Sequence, residues 1–287
     1  MSLRSLGKSS YSVEAARKNC RRNSSTVSPR WYSDLAGPPR VIRDNETLSS
    51  CMHQLQAGDI VCCRLRLNPQ EEHLLLDLVE RGVTLIPSAT SQLASRSKAF
   101  QARIFHPMMV PGTAAIYDLH GLLGVISRYQ RTAIERVILK HDRKNGGLGI
   151  HLFNDPEDIF NLAANNVIPF PFVLQPFIAD SRDVRVIVLG DYIEAYQRIN
   201  PDNFRNNLHC GGKAIRWELS VEQIALCQQV MTRGAFPYAH IDLMLADTAY
   251  LTEINLRGGI RGAAITPQEY GRKIESLHKN LLQKILK

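Results

Sequence analysis

The chain has 287 residues, 44% hydrophobic and 22% charged, with a formal net charge of +8, the balance of an ordinary soluble globular protein of one large domain or two to three modest ones. It contains no apolar run of ~18 residues that would span a membrane as a helix. Eight basic and two acidic residues in positions 1–40 account for +6 of the net charge, so the rest is near neutral and a broad nucleic-acid face is not expected.

Residues 1–40 are rich in Ser and Arg and lack an apolar signal core, which predicts a disordered or loosely docked extension. An organellar transit peptide or a nonspecific polyanion contact fits the same composition. Ile60-Val61-Cys62-Cys63 then reads as a buried strand. Residues 69–81 read as a helix with Leu74, Leu75, Leu78 and Val79 on one face, stopped by Gly82, and residues 83–86 as the next strand. Thr90 or Ser91 can cap a helix running to about residue 105, and residues 114–117 make a further strand. This order predicts a small α/β domain over residues 41–117 with a parallel sheet. Its N-terminal side reads as short, because residues 41–56 carry only a weak strand and helix.

From residue 118 to the end a second domain is expected. A helix through Arg128 leads to a strand at 136–140, a polar Gly-rich stretch at 141–149 and an apolar run at 150–153. Three strands follow at 172–177, 184–189 and 192–198, the last two joined by Gly190-Asp191, a hairpin turn by its chemistry. A helix at 221–233, strands around 239–245 and 250–254 and a basic amphipathic helix complete the order. Cys20, Cys51, Cys62, Cys63, Cys210 and Cys227 form no C-x-x-C pair, so reduced thiols in a cytoplasmic compartment are expected, without a structural zinc site.

Three constellations carry chemistry. Lys140 ends a strand, and the glycines of Asn145-Gly146-Gly147-Leu148-Gly149 would let backbone N–H groups approach an anion; an ordinary glycine hairpin is the alternative. Asp242 lies in an apolar strand, and Glu253 and Asn255 alternate on the following one, so the two share a face. Together they form a hard-oxygen set for Mg²⁺, or else a solvated face or an ion pair with an arginine. Asp183 and Arg185 alternate likewise, ahead of the polar stretch Phe204-Arg205-Asn206-Asn207-Leu208-His209-Cys210-Gly211-Gly212. No Ser/His/Asp or Cys/His triad is evident.

Taken in order, these motifs, with Gln175-Pro176-Phe177-Ile178 between them, resemble the ATP-grasp ligases of the RimK and glutathione synthetase kind, over about residues 58–287. The resemblance implies an α/β (α+β) ATP-grasp fold with a nucleotide held between two α+β subdomains, behind a short pre-ATP-grasp domain. It implies that Lys98 and Lys140 grip the ATP phosphates, that Gly146, Gly147 and Gly149 form a mobile lid, that Gln175, Pro176, Phe177 and Ile178 face adenine, and that Asp183 takes ribose. Arg185 and Arg205 would face phosphate or an acyl phosphate. Asp242, Glu253, Asn255 and Asn207 would hold two Mg²⁺ ions, with Mn²⁺ as a substitute, and phosphate oxygens. The sequence departs from the family at Pro176, at Cys210 and in Leu256-Arg257-Gly258-Gly259-Ile260-Arg261-Gly262, whose guanidiniums suit a multiply anionic, glutamate-like substrate or are surface arginines.

The implied activity is ligation of a small-molecule or peptide carboxylate to an amine, in a homodimer or homotetramer, with nucleic acid touched at most by the tail. Phosphoryl transfer to a small molecule and a non-catalytic ATP-binding regulatory module are the alternatives.

Overall fold

Short apolar runs alternating with amphipathic segments fold into three sheets in a computed structural model, which describes residues 38–144, 147–202, 204–206, 208 and 211–287. The elements belong to the unit Pro39–Lys287. Residues 1–37, and with them the expected extension, lie outside the described residues, as do Gly146, Asn207 and Cys210.

The first sheet is parallel, in the order β1 (Val41–Ile42), β2 (Ile60–Val61), β3 (Thr84–Leu85). The strand and helix that residues 41–56 only weakly suggest are both present. Asp44 caps α1 (Asn45–Cys51) by accepting from the Thr47 N–H at 2.8 Å, and Leu48 of α1 is buried in one cluster with Leu75 and Leu78 of α2 (Leu74–Glu80) and with Val61 and Leu85. Val79, expected on the buried face of α2, is exposed.

The single helix expected from residue 90 to 105 is two. Ser88 caps α3 (Ala89–Ala94) and Ser97 caps α4 (Lys98–Ile104), each accepting from an N–H three residues on. The break places Lys98 in the first turn of α4. Residues 114–117 do not extend the parallel sheet as expected. They form β4 (Ala114–Ile116), which pairs antiparallel with β7 (Phe172–Pro176) because Ile116 is buried with Leu122, Phe172 and Leu174.

The second sheet has the order β4-β7-β5-β6, with β5 (Val137–His141) and β6 (Ile150–Phe153) forming a hairpin. Helices α5 (Leu119–Arg131) and α6 (Pro156–Ala164) pack on it through Val125, Ile126 and Ile159. Helix α6 went unread although Asp155 caps it and Pro156 occupies its first turn.

The third sheet, β10-β9-β8-β11-β12, is antiparallel throughout. It comprises β8 (Arg182–Leu189), β9 (Tyr192–Ile199), β10 (Lys213–Arg216), β11 (Tyr238–Leu245) and β12 (Ala249–Asn255). Helices α7 (Val221–Arg233) and α8 (Pro267–Ile285) contribute Val230, Ile274 and Leu277 to the cluster around Val186, Ile241 and Ile254. Gly190 turns β8 into β9 at φ +68°, and a Cβ there would come within 2.9 Å of Leu277.

Candidate active site

The second and third sheets enclose a cavity of about 860 Å³, lined from one side by Ile138, Lys140, Gln175, Phe177 and Ile178 and from the other by Asp183, Arg185, Asp242, Met244, Glu253 and Asn255. Met244, Ile138 and Ile178 give it an apolar part.

Strand register assembles the polar part. Asp242 on β11 lies opposite Arg185 of β8 on one side and Glu253 of β12 on the other. Arg185 grips Asp242 bidentately, at 2.7 and 2.8 Å, and Arg198 approaches the same carboxylate at 3.1 Å. Arg198, opposite Asp183 in register, also donates to it at 3.0 Å. Burial pushes the Asp242 carboxyl up, but the two guanidiniums outweigh it and hold the group well below the usual carboxylate range. Burial raises Asp183 against the pull of Arg198. The ion-pair reading of Asp242 is therefore realised, and Asp183 and Arg185, expected toward ribose and phosphate, already have protein partners. All three still line the cavity.

A register shift between Asp242 and Leu243 skips Thr252, since Asp242 faces Glu253 and Leu243 faces Leu251. This bulge frees the Thr252 carbonyl from the ladder. Lys140 on β5 takes it: its Nζ donates to Thr252 O at 3.1 Å and to Gln175 Oε1 at 2.8 Å, crossing from one sheet to the other. Burial pushes its pKa down to about 8, against the attraction of Glu253. Lys98 donates to the Lys144 carbonyl at 2.6 Å and lies 3.3 Å from Glu253, which also accepts from the Asn255 amide at 3.1 Å.

Gln101 went unread. It is buried on α4, and its amide both accepts from Ile254 N and donates to Ile254 O, fixing β12 beside the helix that carries Lys98. Its sequence signal was a polar residue between Ala99 and Ala102 on the buried face. Arg198 and Thr252 had no local signal, because register and a bulge place them.

Gly147 lines the cavity at φ +81°, whereas Pro176 and Gly149 do not reach it. Pro176 is buried and lies against Gly112, where a Cβ would be 3.0 Å from its ring. Arg205 lines the cavity but donates to the Ile150 carbonyl at 2.8 Å and lies 4.3 Å over the Phe204 ring. Arg257 and Arg261 line it from the loop after β12.

Asp242, Glu253 and Asn255 are hard donors on adjacent strands. Among the described residues no three His, Cys, Asp or Glu side chains are placed to hold a metal by themselves. The set fits an Mg²⁺ ion completed by phosphate oxygens, not a self-sufficient cage. Among the described residues no helix is long and apolar enough to cross a membrane, and the four cysteines are free thiols.

Two sheets thus meet on a cleft lined by lysines, arginines and carboxylates. A model of the RimK-like ATP-grasp domain matches residues 94–270, and the chain belongs to that family. Among curated proteins it is 33% identical over 117 residues to a probable alpha-L-glutamate ligase of Trichodesmium erythraeum, covering 38% of this chain and 39% of that protein. It is 29% identical over 130 residues to a glutathione synthetase of Mesorhizobium japonicum, covering 42% and 41%. The matches thus span about two fifths of these relatives' length. Among solved structures, the ADP complex of an N5-carboxyaminoimidazole ribonucleotide synthetase aligns with TM-score 0.58 at 14% identity, over 81% of this chain and 63% of that one. D-alanyl-alanine synthetase A of Vibrio cholerae aligns with TM-score 0.54 at 14% identity, over 81% and 78%. These likenesses bear out the expected ATP-grasp fold.

Proposed function

We propose that this chain catalyses ATP-dependent ligation of a carboxylate to an amine. The observation that carries the proposal is the meeting in one cavity of Lys140 and Lys98, from the second sheet and α4, with Asp242, Glu253 and Asn255 of the third. The named ligases among its relatives support it. Residues 41–117 would form the leading part and residues 118–287 the nucleotide-binding part, with β4 contributing to the latter's sheet.

A carboxylate oxygen of the first substrate attacks the γ-phosphorus of ATP, the bond to the β-phosphate oxygen breaks, and ADP leaves. The amine nitrogen then attacks the acyl carbon, the carbon–oxygen bond to phosphate breaks, and the amine gives up a proton as the amide forms. Such a reaction needs positioning and charge neutralisation rather than a protein nucleophile. Lys140 and Lys98 supply cations at the phosphates. Gln175 and Thr252 hold Lys140 in place, and Phe177 and Ile178 give the base an apolar wall. Mg²⁺ held by Asp242, Glu253 and Asn255 would offset phosphate charge.

The test is coupled ADP release with Mg-ATP against a panel of amino acids, small peptides and polycarboxylates. Turnover that requires both a carboxylate and an amine, and is lost in Glu253→Gln, is expected. A stable phosphorylated product formed without amine would replace the ligase by a kinase-like transferase, and tight ATP binding with no ADP across the panel would make the chain a binding module.

A further inference from the structure

A second cavity, of about 660 Å³, adjoins the first and has the size of a small-molecule pocket. The loops that follow β1 and β2 bring Arg43 and Arg64 to it, at the carboxyl ends of parallel strands, where α/β sheets take ligands. The opposite wall is α8 and the loop before it. Arg64 and Arg257 line both cavities.

Four cations, Arg43, Arg64, Arg257 and Lys279, share the second cavity with one carboxylate, Glu275. Among the described residues none of the four is in an ion pair. In the first cavity Lys98, Arg185 and Arg198 face carboxylates, while Lys140, Arg182 and Arg261 are in no ion pair among the described residues. Cations without counter-charges around a hollow favour an anionic occupant.

The cations fall into two groups: Arg64 and Arg257 line both cavities, whereas Arg43 and Lys279 line the second and not the first among the described residues. Arg257 and Arg64 both act on the phenol of Tyr270, which burial raises and they lower. Leu256, Pro267 and Ile274 add apolar surface. Burial pushes the Cys63 thiol up to about 11, so the cysteines here are poor nucleophiles and the cavity is built for binding.

We propose that the second cavity holds an elongated dicarboxylate, one carboxylate at Arg64 and Arg257 where the cavities meet, the other at Arg43 and Lys279. That this molecule is the carboxylate substrate rests on the ligase reading; the preference for two carboxylates rests on the cavity. The carboxylate at the junction is the one presented to the γ-phosphate.

The test is calorimetric titration of the full chain with glutarate and with butyrate, with Mg²⁺ and a non-hydrolysable ATP analogue present. Glutarate is expected to bind roughly tenfold tighter or more. Among the described residues Arg43 lines the second cavity and not the first, so Arg43→Ala reads this cavity alone. It should bring glutarate to the level of butyrate while the analogue's affinity, which reports folding, holds. Equal binding of the two acids, or glutarate affinity unchanged in Arg43→Ala, overturns the proposal, as does inorganic phosphate binding more tightly than glutarate. If glutarate behaves as expected and no carboxylate–amine pair ever releases ADP, the ligase reading fails and the dicarboxylate site stands.

Discussion

Lys140 is buried, and burial brings its pKa down to about 8 from its ordinary 10.5. Between those values the unfolded chain binds a proton that the folded chain does not, so this group's contribution to stability rises with pH through that window. Below it the cost of burying the charge is fully present. Nucleotide affinity should run the other way, because only the charged amine attracts phosphate: ATP binding is expected to weaken by up to about tenfold per pH unit above 8. Titration calorimetry from about pH 7 to pH 10 should show this slope in the wild type and its loss in Lys140→Met. Asp242 is the opposite case, a carboxylate held ionised by Arg185 and Arg198. Asp242→Asn leaves two buried guanidiniums short of a counter-charge and should destabilise by about 3–5 kcal/mol in urea denaturation. Adding Arg185→Met should restore part of that loss. If the single variant is as stable as the wild type, the ion pair does not support the fold.

At the scale of elements, the β5–β6 hairpin is closed by a contact that only glycine permits. A Cβ on Gly149 would lie 2.5 Å from the Lys144 Cβ and 3.2 Å from that of His141. Lys144 must then shift, and its carbonyl is what Lys98 holds. Gly149→Ala is expected to cost about 1–3 kcal/mol by overpacking and to weaken ATP binding roughly tenfold, both read from equilibrium titrations. Elements whose signals are local were legible in the sequence: Val221–Arg233 with its Ser220/Gln223 capping box, the Gly190 hairpin, and the alternation that puts Glu253 and Asn255 on one face. The break between α3 and α4 also had a local signal, the Ser97 cap, which the reading of one continuous helix passed over; the Ser95 hydroxyl that accepts from Leu256 N, 161 residues away, had none. Strand β10, a four-residue edge strand of mixed exposure, carries no alternation to read. The order of the site motifs could be read, but not that Arg198 stands opposite Asp183, which pairing alone decides.

In the whole molecule, polar links cross the cleft at more than one point, Arg205 reaching the Ile150 carbonyl and two lysines bridging the site itself. Lys140 joins β5 to β12, and Lys98 joins Lys144 on the hairpin side to Glu253. A nucleotide whose phosphates engage both lysines would add contacts on both sides at once, so binding should register as global stability. With ligand at a hundredfold excess over its Kd, linkage gives about 2.7 kcal/mol, which for a domain of this size raises Tm by roughly 5–10 °C. On the proposed reading, the acidic side of the cleft should make this gain dependent on metal. Without Mg²⁺, the ATP phosphates would sit against Asp242 and Glu253 with only the lysines and arginines to offset the repulsion. EDTA should therefore remove most of the ATP-induced shift in a melting experiment, and Glu253→Gln should show a smaller EDTA effect than the wild type because one of the repelling carboxylates is gone. A shift that is the same with and without metal would remove Asp242, Glu253 and Asn255 as the metal-binding set and leave the lysines as the principal hold on the nucleotide.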